Sequence, residues 1–306
     1  MMLTTLGTAE LVRRAVKAGT VIPGFNIPYL PMMEPVVRAL RDTNSFGLIM
    51  VARLEWVKFE AGSLEAVRDE YETVKDHNHT RLHLDHVPVI DEDDLRVDYL
   101  EIVRRAIRIG YDSVMVDGSR LPLEDNIACT KAVVEDAHPA GVAVEAELGA
   151  IMGHEAGPLP PYDQLFASGQ GFTDPAEAMR FVEETNVDWL SIAIGSIHGA
   201  ISAARKDEKK VEARLDIGRL DAIREAVGIP LVLHGGTGIR KEYILRAIQH
   251  GIGKINVATA IRQPYEKTVG ESVAAGQEAV YRAMLAVIDD DLEIGNSAAR
   301  LAQEAA

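Results

Sequence analysis

Apolar, β-branched-rich runs alternate along the chain with stretches of helical spacing. The runs are VIPGF (21–25), FGLIMVA (46–52), TRLHLD (80–85), DSVMV (112–116), VAVEAE (142–147), DWLSIAI (188–194), PLVLHG (230–235) and GKINVA (253–258). Between them the apolar positions recur at helical intervals over 30–42, roughly 56–76, 97–109, 123–138, 174–185, 216–227 and 239–250. Strand followed by helix, repeated, implies parallel strands joined by crossovers. Eight such units within about 260 residues predict a closed barrel rather than an open sheet, so the fold class expected is α/β, a (β/α)₈ TIM barrel. The pair Asp174-Pro175 after Thr173 is a good helix entry.

Two segments interrupt the rhythm, VPVIDEDDLRVD (87–98) after the third run and GAIMGHEAGPLPPYDQLFASGQG (149–171) after the fifth. Both follow a strand, so both are expected on the face where barrel active sites are built, and long loops there are often functional. A helical extension is predicted from about residue 261 to about 288, continuing into DDDLEIGNSAARLAQEAA, with packing or a subunit interface as its role. The expectation is a single barrel domain over 1–306 carrying these two insertions and this extension.

Composition narrows the functions. Hydrophobic residues are 47% of the chain, enough for a sizeable core, and mean hydropathy is −0.01. The net charge of −15 argues against a partner with a phosphate backbone, and no nucleic-acid role is expected. A small anionic substrate needs only a local cluster of donors and stays open. The single cysteine, Cys129, excludes a disulfide within the chain and a thiolate metal cluster, and its apolar helical context reads as a buried thiol. The first residues carry charge by Glu10 and lack a signal-peptide core, and no run approaches membrane-spanning length. The expectation is a soluble, cytoplasmic protein without a membrane partner.

Position carries the chemistry. The strand ends present Asn26, then Asp85 and His86, Asp117, Glu145 and Glu147, His198 and Gly199, His234 with its glycines, and Asn256 and Thr259. In a barrel these ends converge on one mouth. Three of the nine histidines, His86, His198 and His234, fall there among carboxylates. Three imidazoles with an open position are a catalytic zinc arrangement, so Zn²⁺ or a similar divalent cation is expected. His77 and His79 lie in a polar strand entry, His138 and His250 end helices, His83 reads as a core or supporting residue, and His154 is ambiguous. HGGTG (234–238) joins the seventh strand to a helix and lets backbone N–H groups approach an anion, and in barrels phosphate sites favour this region.

These residues, in this order, resemble the class II, zinc-dependent fructose-bisphosphate aldolases, a family that includes tagatose-bisphosphate and other ketose-bisphosphate aldolases. The resemblance rests on GFN (24–26), HLDH (83–86), YDSVMVDGSRLPLEDNIACTK (111–131), VEAELG (144–149), FTDPAEA (172–178), AIGSIHG (193–199), LDIGRLDAIREAVGIPLVLHGGTGI (215–239) and KINVATAIR (254–262). It implies reversible, metal-dependent aldol cleavage of a ketose phosphate or bisphosphate to dihydroxyacetone phosphate and an aldehyde, in a homodimer or homotetramer. Position by position it implies metal ligation by His86, His198 and His234 with Glu147 close by, and catalysis by Asp85 and Glu155. Substrate and phosphate contacts are implied at Asn26, Gly199, Gly235, Thr237, Asn256 and Thr259, and a monovalent cation is a second candidate cofactor. NVAT (256–259) is closer to the tagatose-type pattern, with Ala258 where the fructose type usually has Asp.

Some positions depart from the family pattern. HLDHV replaces HLDHG with an insertion after Val87, Ala52 then Arg53 stand where a Ser is usual, and DGSR places Arg120 where His is usual. Arg53 and Arg120 are each readable as an anion contact or as a solvated charge. Two other readings use the same residues: a metal-dependent hydrolase acting through water on the three histidines, and a non-catalytic relative.

Overall fold

The computed structural model describes residues 3–149, 162–196, 213–236 and 238–303. The eight apolar runs form eight strands: β1 Ile22–Asn26, β2 Gly47–Ala52, β3 Thr80–Pro88, β4 Ser113–Asp117, β5 Ala143–Leu148, β6 Trp189–Ile192, β7 Leu231–Leu233 and β8 Ile252–Val257. They close into a barrel in sequence order, every pair parallel, with β8 returning to β1. The expected (β/α)₈ architecture is therefore the observed one.

The helices are α1 Thr8–Lys17, α2 Met33–Asp42, α3 Arg53–Val57, α4 Leu64–Val74, α5 Tyr99–Ile109, α6 Leu123–Ala137, α7 Tyr162–Ser168, α8 Pro175–Thr185, α9 Ile217–Val227, α10 Lys241–Gln249, α11 Thr259–Thr268, α12 Val273–Leu285 and α13 Ser297–Ala302. Their entries follow the local chemistry. Asp98, Asp174 and Asp216 each accept a backbone N–H in the first turn of α5, α8 and α9, and Pro175 takes the first helical position of α8. The helix expected over 56–76 is broken in two. Gly62 at φ +80 turns the chain, and Ser63 caps α4 by accepting from Ala66 N–H. Helix α1 lacked a counterpart in the periodic pattern, and α7 gives helical structure within the second interruption.

The interior of the barrel is layered. Toward its N-terminal end Ile22, Leu48, Met50, Ala143, Trp189 and Val232 pack with Leu11 and Val12 of α1 and Leu301 of α13. Gly24 makes room there, because a Cβ on it would stand 2.2 Å from Met50 Sδ. The C-terminal segment completes this floor: Ser297 Oγ accepts from Phe46 N–H, and Ala298 and Leu301 are buried. A larger apolar layer fills the space between strands and outer helices. With one end of the barrel packed shut, the polar interior residues collect at the other, where the strands finish.

Candidate active site

Asp85 and His86 are adjacent, so strict alternation would send them to opposite faces of β3. The backbone prevents this. Pairing of β3 with β4 shifts register between Leu84 and Val87, and His86 takes φ +34. A bulge with a left-handed residue turns His86 back toward the mouth, a conformation that costs a non-glycine residue roughly 1–3 kcal/mol. His86 Nδ1 then lies 3.3 Å from Asp117 Oδ2 and 4.0 Å from Glu147 Oε2. From β7, His234 brings its Nδ1 to 2.9 Å from the same Glu147 Oε2, and the two imidazole rings stand 4.5 Å apart.

The other nitrogen of His234 is fixed from below. Its Nε2 lies 2.9 Å from Glu145 Oε1, a contact that would keep the ring proton on Nε2 when Nδ1 ligates a cation. Glu145 is a hub: Lys254 Nζ is 2.9 Å from its Oε2, Trp189 Nε1 donates at 2.6 Å, and His83 Nε2 is 3.4 Å away. His83 shares a face of β3 with Asp85, two residues on, and its Nδ1 is 2.8 Å from Ser113 Oγ. Lys254 also donates to Asn256 Oδ1 at 2.5 Å and lies 3.9 Å from Asp85.

Asp85 is held by two amides. Asn256 Nδ2 donates to its Oδ1 at 3.0 Å, and Asn26 Nδ2 donates to its Oδ2 at 3.0 Å. Burial alone would raise its pKa, but His86, then Lys254 and His234, bring it down to about 2, so it is ionised at neutral pH. His86 shows the reverse balance. Burial lowers it, while Asp85, Asp117 and Glu147 push it up to about 10. The field at this point favours positive charge. Asp117 is held well below the carboxylate range, since its bonds to His86 and Ser119 outweigh burial. Glu145 likewise is depressed, its burial overcome by Lys254, His234 and His83.

The donor set fits a divalent cation. Ligand atoms of Asp85, His86 and His234 lie within 4.8 Å of one another, as do those of His86, Asp117 and Glu147. Two imidazole nitrogens converge on one carboxylate, and Glu145 orients the His234 ring from its far nitrogen. Of the residues singled out from sequence, Asn26, Asp85, His86, Glu147, His234 and Asn256 form this one connected site. Gly235 follows His234 with φ +68, and Thr259 opens α11. Glu155, His198, Gly199 and Thr237 lie outside the described residues.

Sequence reasoning missed Lys254 and Glu55, left Asp117 and Glu145 without roles, and read His83 as a core or supporting residue, which is where it stands, buried beside Glu145. For His83, Glu145 and Lys254 the signal was period two: each stands two residues before a recognised site residue and so shares its face. Glu55 had no such signal, since it sits on α3. Its Oε2 accepts from Ala52 N–H at 2.8 Å and from Asn26 Nδ2 at 3.4 Å. Burial, partly offset by the Ala52 N–H and reinforced by Asp85, pushes its carboxyl up to about 8.

The departures prove to be one unit. Asp91, buried in the segment after β3, accepts from Arg53 Nη1 at 3.3 Å and from the N–H groups of Asp93 and Leu95. Arg120 donates to the Asp91 carbonyl and pairs with Asp94. Both arginines thus clasp the 87–98 segment, whose Val87 and Pro88 extend β3 and whose Ile90 and Arg96 form an antiparallel bridge.

A closed parallel barrel gathers imidazoles and carboxylates at its C-terminal mouth, in groups that could hold a metal ion. The family model for class-II fructose-bisphosphate aldolase matches residues 7–299, and the chain belongs to that family of lyases. It is 34% identical over 268 residues to a fructose-bisphosphate aldolase of Geobacillus stearothermophilus, covering 87% of this chain and 84% of the relative. Its structure is similar to that of the YdjI aldolase from Escherichia coli K12, with TM-score 0.75 and 27% identity over 95% of this chain and 98% of the other. A fructose-bisphosphate aldolase of Campylobacter jejuni, 18% identical, shares the fold at TM-score 0.72 over 97% of this chain and 96% of its own. No helix among the described residues is long and apolar enough to cross a membrane.

Proposed function

We propose that this aldolase cleaves a ketose phosphate, reversibly, to dihydroxyacetone phosphate and an aldehyde, with a zinc-like divalent cation held by His86, His198 and His234 and with Glu147 beside it. The observation that carries the reading is the convergence of His86 and His234 Nδ1 on Glu147, next to an Asp85 pinned by two amides. A cation held there would supply Lewis acidity toward the ketone oxygen beside the carbon–carbon bond to be broken.

The residues divide the remaining work. Asp85, ionised and oriented by Asn26 and Asn256, takes the proton from the hydroxyl on the departing aldehyde side. Glu155 returns a proton to the carbon of the ketone fragment, a separate position that calls for a separate acid. Gly199, Gly235, Thr237 and Thr259 bind the phosphate through backbone and hydroxyl donors. Asn256 is committed at both ends of its amide, accepting from Lys254 and donating to Asp85, and keeps one N–H for substrate. The 306 residues form one barrel domain on this reading, in a cytoplasmic homodimer or homotetramer.

Cleavage of a panel of ketose phosphates, followed by coupled detection of triose phosphate, tests it. Activity that falls to background on chelation, returns with Zn²⁺ or Co²⁺, and is absent in His198→Ala supports the proposal. Activity indifferent to chelation removes the metal, and release of inorganic phosphate instead of triose phosphate identifies a hydrolase.

A further inference from the structure

Glu55 is 7% exposed and uses only one of its two oxygens. Oε2 accepts from Ala52 N–H and Asn26 Nδ2; Oε1 makes no hydrogen bond with any described residue. Reaching back to the backbone at the start of α3 explains Oε2, since a glutamate at the third helical position commonly does this. It does not explain burial, because such a cap works equally well in water. Oε1 is not one of the fully buried side-chain atoms that lack a partner, so it keeps access to solvent and to a ligand.

Location gives that oxygen a use. Asn26 links Glu55 directly to Asp85, the group assigned to the aldehyde-side hydroxyl. The phosphate positions proposed above follow β6, β7 and β8, whereas Glu55 is placed by its link through Asn26 to Asp85. Glu55 therefore stands on the aldehyde side. Charge then restricts what the aldehyde can carry. Two arginines on this wall, Arg53 and Arg120, are already paired with Asp91 and Asp94. Among the described residues of this wall, a second phosphate would meet a carboxyl and an ionised Asp85, with both arginines already paired. Near neutral pH the proton on Glu55 makes Oε1 a donor as well as an acceptor, suited to a hydroxyl.

From this placement we infer that Glu55 Oε1 hydrogen-bonds a hydroxyl group of the aldehyde half, and that this half is a neutral polyhydroxy aldehyde rather than a phosphorylated one. The inference rests on the aldolase reading above and deepens it to a substrate class: a ketose phosphorylated only at the dihydroxyacetone end. Glu55 is a residue that touches substrate and sets specificity.

The experiment is condensation of dihydroxyacetone phosphate with three aldehydes by the metal-loaded enzyme: glyceraldehyde, propanal, and glyceraldehyde 3-phosphate. The expected order of kcat/KM places glyceraldehyde at least tenfold above both others. Glu55→Ala lowers the glyceraldehyde-to-propanal ratio by about tenfold, the size of one lost hydrogen bond. Glu55→Gln, which keeps a donor and an acceptor and guards against misfolding, holds that ratio within about threefold of the wild type. An equal loss on glyceraldehyde and propanal in Glu55→Ala, or a wild-type preference for glyceraldehyde 3-phosphate, overturns the inference. Hydrogen exchange of dihydroxyacetone phosphate in solvent deuterium without any aldehyde separates the two levels. Exchange with an unchanged aldehyde ratio sinks only the role of Glu55; no exchange in the wild type sinks the aldolase reading.

Discussion

Replacing Lys254 by Met tests whether the buried polar layer is an electrostatic unit. Lys254 is fully buried, and its ammonium lies 2.9 Å from Glu145 and 3.9 Å from Asp85. It is the strongest of the charges that hold Glu145 down and second only to His86 for Asp85. Methionine fills similar space without the charge, leaving two buried carboxylates short of their cation. Removing one partner of a buried pair costs about 3–5 kcal/mol. The sign with pH follows from the depressed pKa values. The wild-type carboxylates contribute stability present above their ordinary pKa and lost as pH falls through the depressed one, and the variant forfeits that contribution. Its deficit is therefore full at pH 8 and smaller at pH 3, below the ordinary carboxylate values. Urea unfolding of chelator-treated protein measures this: with m near 4 kcal/mol/M, a rough figure for a chain of this size, the midpoint falls by about 1 M at pH 8. Adding Glu145→Gln to Lys254→Met recovers at least half of the loss, because the stranded charge is gone. A single variant within about 1 kcal/mol of the wild type, or a deficit independent of pH, refutes the reasoning.

Other expectations follow from the same contacts. Asp91→Ala removes the acceptor that Arg53 and two backbone N–H groups share, so stability falls by about 1–3 kcal/mol and proteolysis of native protein concentrates at residues 89–97; an unchanged cleavage pattern contradicts the clasp. Glu55 has the opposite pH sign to the depressed carboxylates. Its raised pKa contributes stability present below its ordinary value near 4.5 and lost as pH rises toward about 8, with Asp85 and His86 the charged groups that face it. Glu55→Gln, which cannot ionise, therefore gains on the wild type by up to a few kcal/mol across that window, and a difference flat with pH contradicts it. Glu145→Gln weakens the contact that orients the His234 ring, so zinc affinity measured by competition with a chelating dye drops about 10–100-fold while the far-ultraviolet circular dichroism stays native.

Much of the barrel and its mouth was legible because parallel strands leave strong local signals and end on one face. Asp85, His234 and Asn256 could be placed from strand ends alone. His86 could be named but not aimed: alternation sends it away from Asp85, and only the bulge at φ +34 returns it. Lys254 and Glu145 are 109 residues apart, and neither reads as a core residue until the closed barrel brings them together. Arg53, Asp91 and Arg120 looked like three separate departures, because ion pairs between different βα loops leave no periodic trace. The break between α3 and α4 came from Gly62 and Ser63 inside an otherwise continuous helical pattern, a turn signal weaker than the periodicity around it.

The cation site proposed at His86 and His234, beside Asp85, would loosen a hydrogen on a ketone phosphate. This is tested most directly by proton magnetic resonance of dihydroxyacetone phosphate in deuterium oxide with zinc-loaded enzyme and no aldehyde. The expected result is exchange of a single hydrogen on the hydroxyl-bearing carbon, abolished by chelation and by His234→Ala and strongly reduced in Glu155→Ala. Absence of exchange with the wild-type protein shown to hold zinc, or exchange that continues after the metal is removed, would contradict it.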